Sequence, residues 1–270
     1  MEQASTKFSA ARSRSLCEKL RPVFRGSCCI RVPEEIIHDP DPATYDQQLN
    51  FLAGTIPTFN SPDIDTVDVW PIRPIDNLRV SCRNLSATSS ANQTRIDLSW
   101  SPWGIGMQRQ AIGSSYVDLA RVGFSGSEAK ILWPLPPVVK AAGRYGIFVK
   151  LFHPYDTNAL NNQGEQTVDG FQTSGGRSKT FVVPVRNPTA ATQTVVLSVG
   201  PPPVAPWVTV VPSVLTLAAG AQQDVMVAIN VPAAIPPSPA GTLISAAVDV
   251  LATIGGAYLG GISILILFDA

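Results

Sequence analysis

From residue 77 onward the side chains alternate in character. Leu78, Val80 and Cys82 are separated by Arg79 and Ser81; Ile96, Leu98 and Trp100 by Asp97 and Ser99; Ile147, Val149 and Leu151 by Phe148 and Lys150. A period of two sends alternate side chains to opposite faces of an extended strand, a pattern that no helix can use to bury one face. The runs are short, and Gly, Asn, Ser and Pro fall between them as they do in hairpins. A second set begins near Thr180 with Phe181, Val183 and Val185, and continues through 194–199, 207–211, 214–217, 225–231, 243–251 and 258–268. Strands of this kind bury their apolar faces by packing sheet on sheet. The expected fold is therefore all-β: two tandem Ig-like β-sandwiches, 77–175 and 176–270, meeting at the short Thr-Ser-Gly-Gly-Arg-Ser-Lys segment 173–179.

Two arms are expected to precede the sandwiches. In residues 1–31, Phe8, Leu16, Leu20 and Phe24 recur near a four-residue spacing with Arg12, Arg14 and Lys19 between them. This reads as a basic amphipathic helix ending near Pro22 or Gly26. Three roles compete for it: a targeting peptide, a docking helix for an anionic membrane surface or acidic partner, and an ordinary surface helix. If it docks, Phe8, Arg12, Arg14, Leu16, Leu20 and Phe24 make the contact. No run of 7–15 apolar residues follows a basic start, so no secretory signal is expected. Residues 32–76 hold seven prolines and nine acids against the single base Arg73. They read as an acidic, extended, Pro-rich arm suited to wrapping a neighbour.

Charge separates the same regions. Lys+Arg and Asp+Glu number 20 each, yet residues 1–31 carry +5, 32–76 carry −8, 77–186 carry +6 and 187–270 carry −3. The zero balance argues against a dedicated nucleic-acid binder. An apolar fraction of 45% argues against global disorder, and four Cys are too few for a disulfide scaffold. Residues 187–270 contain Asp224, Asp249 and Asp269 but no Lys or Arg. A stretch so poor in charge is expected either to sit against a partner or membrane, or to rely on Ser, Thr, Gln and Pro for its surface.

Particular residues then point to families. Ser61-Pro62-Asp63-Ile64, Leu78-Arg79-Val80-Ser81-Cys82-Arg83-Asn84-Leu85 and Asp97-Leu98-Ser99-Trp100 resemble bacterial Ig-like domains of the CARDB type, the cell-adhesion-related domains found in bacteria. His153-Pro154-Tyr155-Asp156-Thr157-Asn158 and Asn161-Asn162-Gln163-Gly164-Glu165 resemble the closing segment of that family. Residues 180–268 resemble the Ig-like domain often appended to bacterial glycosidases, through Val185-Arg186-Asn187-Pro188, Trp207, Leu215-Thr216-Leu217-Ala218-Ala219-Gly220 and Val231-Pro232. The resemblance implies a sandwich fold and, through the family names, adhesion or carbohydrate binding. Its motifs are structural, so it speaks to fold more than to activity.

Candidate chemistry is sparse. His38 and His153 have no Ser or Cys placed beside them by a recognisable motif, so no catalytic residue is expected. There is no phosphate-binding loop; Gly104-Ile105-Gly106 sits in a turn and lacks a third glycine, and no cofactor is expected. Cys17, Cys28, Cys29 and Cys82 lack zinc spacing and read as free thiols or one disulfide to Cys82. Asp156, Asn158 and Glu165, with Asn161 and Asn162, offer oxygens for calcium without EF-hand spacing, and a plain Asx turn accounts for the same residues. Of the five Trp, Trp100 and Trp207 fit core positions, and Trp103 in Ser-Pro-Trp-Gly is the candidate for an exposed sugar platform. Residues 250–268 hold no formal charge and are long enough for a membrane helix, but paired glycines and alternating Ile favour a buried strand pair. The functional expectation is a non-catalytic structural or interaction subunit that scaffolds a larger bacterial complex, membrane-associated or not, through other protein subunits. The alternative is a surface adhesin or carbohydrate-binding module.

Overall fold

The computed structural model describes residues 39–66, 77–158, 160–173, 176–233 and 245–268, all within one compact unit. The basic arm with Phe8, Arg12, Arg14, Leu16, Leu20 and Phe24 lies outside the described residues, as do Cys17, Cys28, Cys29 and Trp70. The elements run β1 (Pro42–Ala43), α1 (Gln47–Leu52), β2 (Ile64–Thr66), β3 (Asn77–Asn84), β4 (Ala91–Pro102), β5 (Gln110–Leu119), β6 (Glu128–Pro134), α2 (Pro137–Ala142), β7 (Tyr145–Phe152) and β8 (Gln163–Thr173). They continue with β9 (Ser178–Arg186), β10 (Gln193–Gly200), a 3-10 turn at Ala205–Trp207, β11 (Val208–Val211), β12 (Val214–Leu217), β13 (Gln222–Asn230), β14 (Ser245–Ile254) and β15 (Ala257–Phe268). The chain is an all-β sandwich fold, and the alternation seen in sequence is the alternation of burial: Leu78, Val80 and Cys82 point inward from β3, Val183 and Val185 from β9.

One core gathers Ile64, Leu78, Val80, Ile96, Leu98, Trp100, Ile147, Val149 and Leu151. The other gathers Phe181, Val183, Val195, Val225, Val227, Val248, Ile262, Ile264 and Ile266. The two sandwiches share a layer. A single eight-stranded sheet runs β12-β10-β14-β15-β8-β7-β4-β5, closed over at one end by β11-β13-β9 and at the other by β3 with β1, β2 and β6. The join is a parallel pairing of β15 with β8, from Ser263 opposite Val168 to Phe268 opposite Thr173. Main-chain hydrogen bonds therefore run continuously from one sandwich to the other.

The C-terminal segment is a strand pair. Gly255 and Gly256, at φ +57° and +81°, make the two-residue turn between β14 and β15, where both central residues need positive φ. No described helix is long and apolar enough to cross a membrane.

Residues 39–66 correct one expectation. They do not stand free to wrap a neighbour; they wrap their own chain, because Phe59 and Ile64 are fully buried in it. The upper edge of β8 shows how. Gln163 N–H donates to Asp46 Oδ2 (3.0 Å), Glu165 N–H to Gln47 Oε1 (2.9 Å) and Thr167 N–H to the Phe59 carbonyl (3.0 Å). From Val168 onward β15 takes over the same edge. The arm thus stands in for a strand along the first half of β8. Asp46 also caps α1 by accepting the Leu49 N–H, the usual task of an N-terminal Asp.

Candidate functional site

A cleft of about 370 Å³ lies where the sandwiches meet, lined by Gly104, Gly106, Met107, Gln108, Arg109, Phe148, Glu165, Arg186, Pro188, Leu259 and Gly260. Its size falls within the range of small-molecule sites.

One wall is built by the Gly104-Ile105-Gly106 turn. Ile105 forms a lone parallel bridge with Val185: its N–H donates to the Pro184 carbonyl, and Arg186 N–H donates back to Ile105, both at 2.9 Å. Gly104 and Gly106 have φ of +142° and +68°, and a Cβ on Gly104 would stand 2.6 Å from the Pro184 carbonyl oxygen. The two glycines are thus what lets the turn lie against β9.

The floor is Glu165. Its carboxylate accepts the Thr167 hydroxyl and the Tyr258 hydroxyl, each at 3.1 Å. Burial raises its pKa; the nearby Arg109 charge and the donated hydrogen bonds oppose that rise. Tyr258 is pushed well above the ordinary phenol value, first by burial and then by the Glu165 charge. The opposite wall arises from a bulge: Ala252 pairs with Gly260 and Thr253 with Tyr258, so Leu259 is the extra residue and lines the cleft.

Two cations face this space. The Arg109 guanidinium stacks 3.8 Å from the Phe148 ring centroid. Among the described residues neither Arg109 nor Arg186 has a carboxylate within ion-pair distance. Guanidiniums beside apolar Leu259, Pro188 and Phe148 suit a small ligand with a carboxylate or another anionic group, which would compete with Glu165 for the Arg109 charge. No His, Ser or Cys lines the cleft, so it offers no nucleophile and base pair of the Ser–His or Cys–His kind.

The residues singled out in the sequence fall elsewhere. Trp103 is 5% exposed and packs in the second core, 6.4 Å from Phe181 and under the Arg144 guanidinium. The expectation of an exposed sugar platform there is corrected: the turn that carries Trp103 docks on β9 and presses the indole inward. Asp156, Asn158 and Glu165 are not brought together. Glu165 belongs to the cleft with Tyr258 and Thr167, whereas Asp156 and Asn158 lie in the β7–β8 loop, where Asn158 N–H donates to Asp156 at 2.9 Å. Among the described residues no three His, Cys, Asp or Glu side chains converge as a metal site would require. Cys82 is a buried free thiol, raised to about 12 chiefly by burial. His153 donates from Nε2 to the Asn92 carbonyl (3.0 Å) and accepts the Tyr155 N–H at Nδ1 (3.3 Å), which makes it a structural strand-end residue.

Arg109, Arg186, Tyr258 and Leu259 were not singled out by sequence reasoning. The available signal was Gly260-Gly261 inside a strand pattern, which marks a bulge or a close backbone approach.

No family model matches the chain, and no curated protein matches it. Among solved structures it is similar to red sea bream transglutaminase, at 10% identity and a TM-score of 0.26 over 77% of this chain and 31% of that one. It is similar to the E. coli alpha-2-macroglobulin, at 9% identity and a TM-score of 0.26 over 77% of this chain and 17% of that one. A protein of unknown function from Porphyromonas gingivalis matches at 12% identity and a TM-score of 0.26, over 72% of this chain and 92% of that one. The chain thus spans less than a third of the length of the first two. Likeness at this level carries no argument about activity, and the fold rests on the strand pairing above.

Proposed function

We propose that this chain is a non-catalytic structural or interaction subunit of a larger bacterial assembly, built on Ig-like modules similar to the CARDB type. One observation carries the reading. Among the described residues the shared sheet ends on β5, a ten-residue strand that pairs with β4 alone. Tyr116 on β5, Val122 and Phe124 on the connection that follows, and Leu132 on β6 are 45–60% exposed. An unpaired edge flanked by large apolar side chains is the usual feature through which a partner strand or surface is added. The test uses the full chain purified at native level, followed by size-exclusion chromatography and mass spectrometry. A stoichiometric complex is expected, weakened by Tyr116→Asp with Leu132→Asp. A monomer that retains no stoichiometric partner overturns the reading. Removal of residues 1–37 asks separately whether the basic segment contributes; a longer deletion would take Phe59 and Ile64 from the cores and report only unfolding.

The cleft favours a second reading, a carbohydrate-binding module for acidic sugars, through Arg109 and Arg186. Glycan-array binding to uronate-bearing saccharides, lost in Arg109→Ala, supports it; absence of such binding in the wild type rejects it.

A further inference from the structure

The alternation that fills the first core also decides what stands on the reverse of its sheet. On β7, Ile147, Val149 and Leu151 face the core, so Phe148, Lys150 and Phe152 share the outer face. Strand register carries that face across the sheet. Phe152 is opposite Arg95, and Arg95 is opposite Tyr116; Lys150 is opposite Asp97, and Asp97 is opposite Ser114. The two aromatics of the first rung are open to solvent, Tyr116 at 60% and Phe152 at 48% exposed. Between them the Arg95 guanidinium lies 5.1 Å from the Phe152 ring centroid and pairs with Asp97 at 3.0 Å. Asp97 also accepts the Ser114 hydroxyl at 2.6 Å. Lys150 is exposed and has no ion-pair partner among the described residues.

This face runs into the cleft. Phe148 and Glu165, opposite each other in register, both line it. A smaller hollow of about 30 Å³ shares Arg109 and Glu165 with the cleft and reaches Gln163, which pairs with Lys150. From Phe148 to Phe152 the strand rises about 13 Å, and the rung from Phe152 to Tyr116 crosses about 10 Å. Cleft, cation and aromatic rung therefore follow one another along a track longer than a single sugar ring.

The make-up of the track selects its ligand. A protein interface has a dry apolar centre and a polar rim. Here the centre is Asp97, Lys150 and Ser114, and the aromatics stand at the ends. A nucleic-acid strand brings a negative charge with every nucleotide, whereas Arg95, Arg109 and Lys150 barely outnumber Asp97 and Glu165. A pyranose offers an apolar C–H face to an aromatic ring and hydroxyls at its rim, and a uronate adds a carboxylate for a cation. We infer that the outer face of β4, β5 and β7 is a binding track for an extended acidic polysaccharide. The polysaccharide leaves the cleft past Phe148, sets a carboxylate at Lys150 and lays a sugar ring on the Phe152–Tyr116 rung. The inference rests on the acidic-sugar reading of the cleft and adds to it the length of chain recognised.

The test is calorimetric titration of the full chain with galacturonate and mannuronate oligomers, from monomer to hexamer, beside galactose oligomers and single-stranded oligothymidylate. Affinity is expected to climb about tenfold between dimer and hexamer. Phe152→Ala and Lys150→Ala should each weaken hexamer binding about tenfold and leave the dimer unchanged, because the dimer is held in the cleft. Arg109→Ala should weaken dimer and hexamer alike. Thermal melts check that the variants fold; should Phe152→Ala fail, exposed Lys150→Ala carries the comparison. If no uronate of any length binds the wild type, the acidic-sugar reading of the cleft fails and the track fails with it. If dimer and hexamer bind equally, or the hexamer binds the folded variants as it binds wild type, the track alone is overturned and the cleft reading stands. Equal binding of galactose oligomers, or tighter binding of oligothymidylate, assigns the face to another ligand and overturns the inference.

Discussion

The side-chain amide of Gln47 and the main chain of Glu165 hold each other in a closed ring. Gln47 Nε2–H donates to the Glu165 carbonyl at 2.6 Å, and Glu165 N–H donates to Gln47 Oε1 at 2.9 Å. One buried side chain does for β8 what a neighbouring strand does elsewhere in the sheet. Gln47→Ala leaves a buried N–H and a buried carbonyl without partners and is expected to cost about 2–4 kcal/mol. Urea denaturation measures it; a loss below about 0.5 kcal/mol would show that water substitutes freely at this edge.

The Phe59 ring and Gly261 are coupled in the same way. A Cβ on Gly261 would meet the ring edge of Phe59 and the Val250 carbonyl oxygen. Gly261→Ala should therefore destabilise by about 1–3 kcal/mol through overpacking. Phe59→Leu is costly alone but makes room, so the double variant should be more stable than the two single losses predict by about 1 kcal/mol. Additive losses would show that the Val250 carbonyl of β14, not the ring, resists the methyl.

The acid at the floor of the cleft makes stability pH-dependent. Glu165 is raised above its ordinary value of 4.5, chiefly by burial. The folded chain then holds this proton more tightly than the unfolded chain. Stability linked to the group is complete below the ordinary value and declines as pH rises through the raised one. Glu165→Gln cannot titrate. Denaturation at about pH 4 and about pH 7 should show wild type losing stability relative to the variant as pH rises. A difference that does not change with pH refutes the assignment.

Cys82 should be chemically silent. At about 12 its thiolate fraction at neutral pH is about a thousandfold below that of an ordinary thiol at 9.0. Iodoacetamide labelling followed by peptide mapping should leave Cys82 unmodified in the native protein and label it in denaturant. Native labelling of Cys82 at the denatured rate would mean that β3 opens readily.

The alternation of Leu78, Val80 and Cys82, and of Ile262, Ile264 and Ile266, was legible in the sequence because each strand reports its own burial locally. The Gly255-Gly256 turn was less plain, yet β-branched residues on both sides favoured strands over a membrane helix. What could not be read depends on distant pairing. Phe59 lies in a segment whose prolines suggest extended chain, and nothing nearby reveals that its N–H meets Asp249 Oδ1 at 3.1 Å, 190 residues away. Trp103 follows a strand of the first sandwich and is buried in the second. Arg109 and Arg186 become neighbours of one cleft only because the Gly104–Gly106 turn docks on β9.

The parallel join of β8 and β15 has a mechanical consequence. Six consecutive residue pairs, from Val168–Ser263 to Thr173–Phe268, are arranged side by side along the strand direction. Tension applied along those strands loads the six pairs together in shear instead of peeling them one at a time. Sliding one sandwich past the other along the strand direction therefore requires those six pairs to give way together.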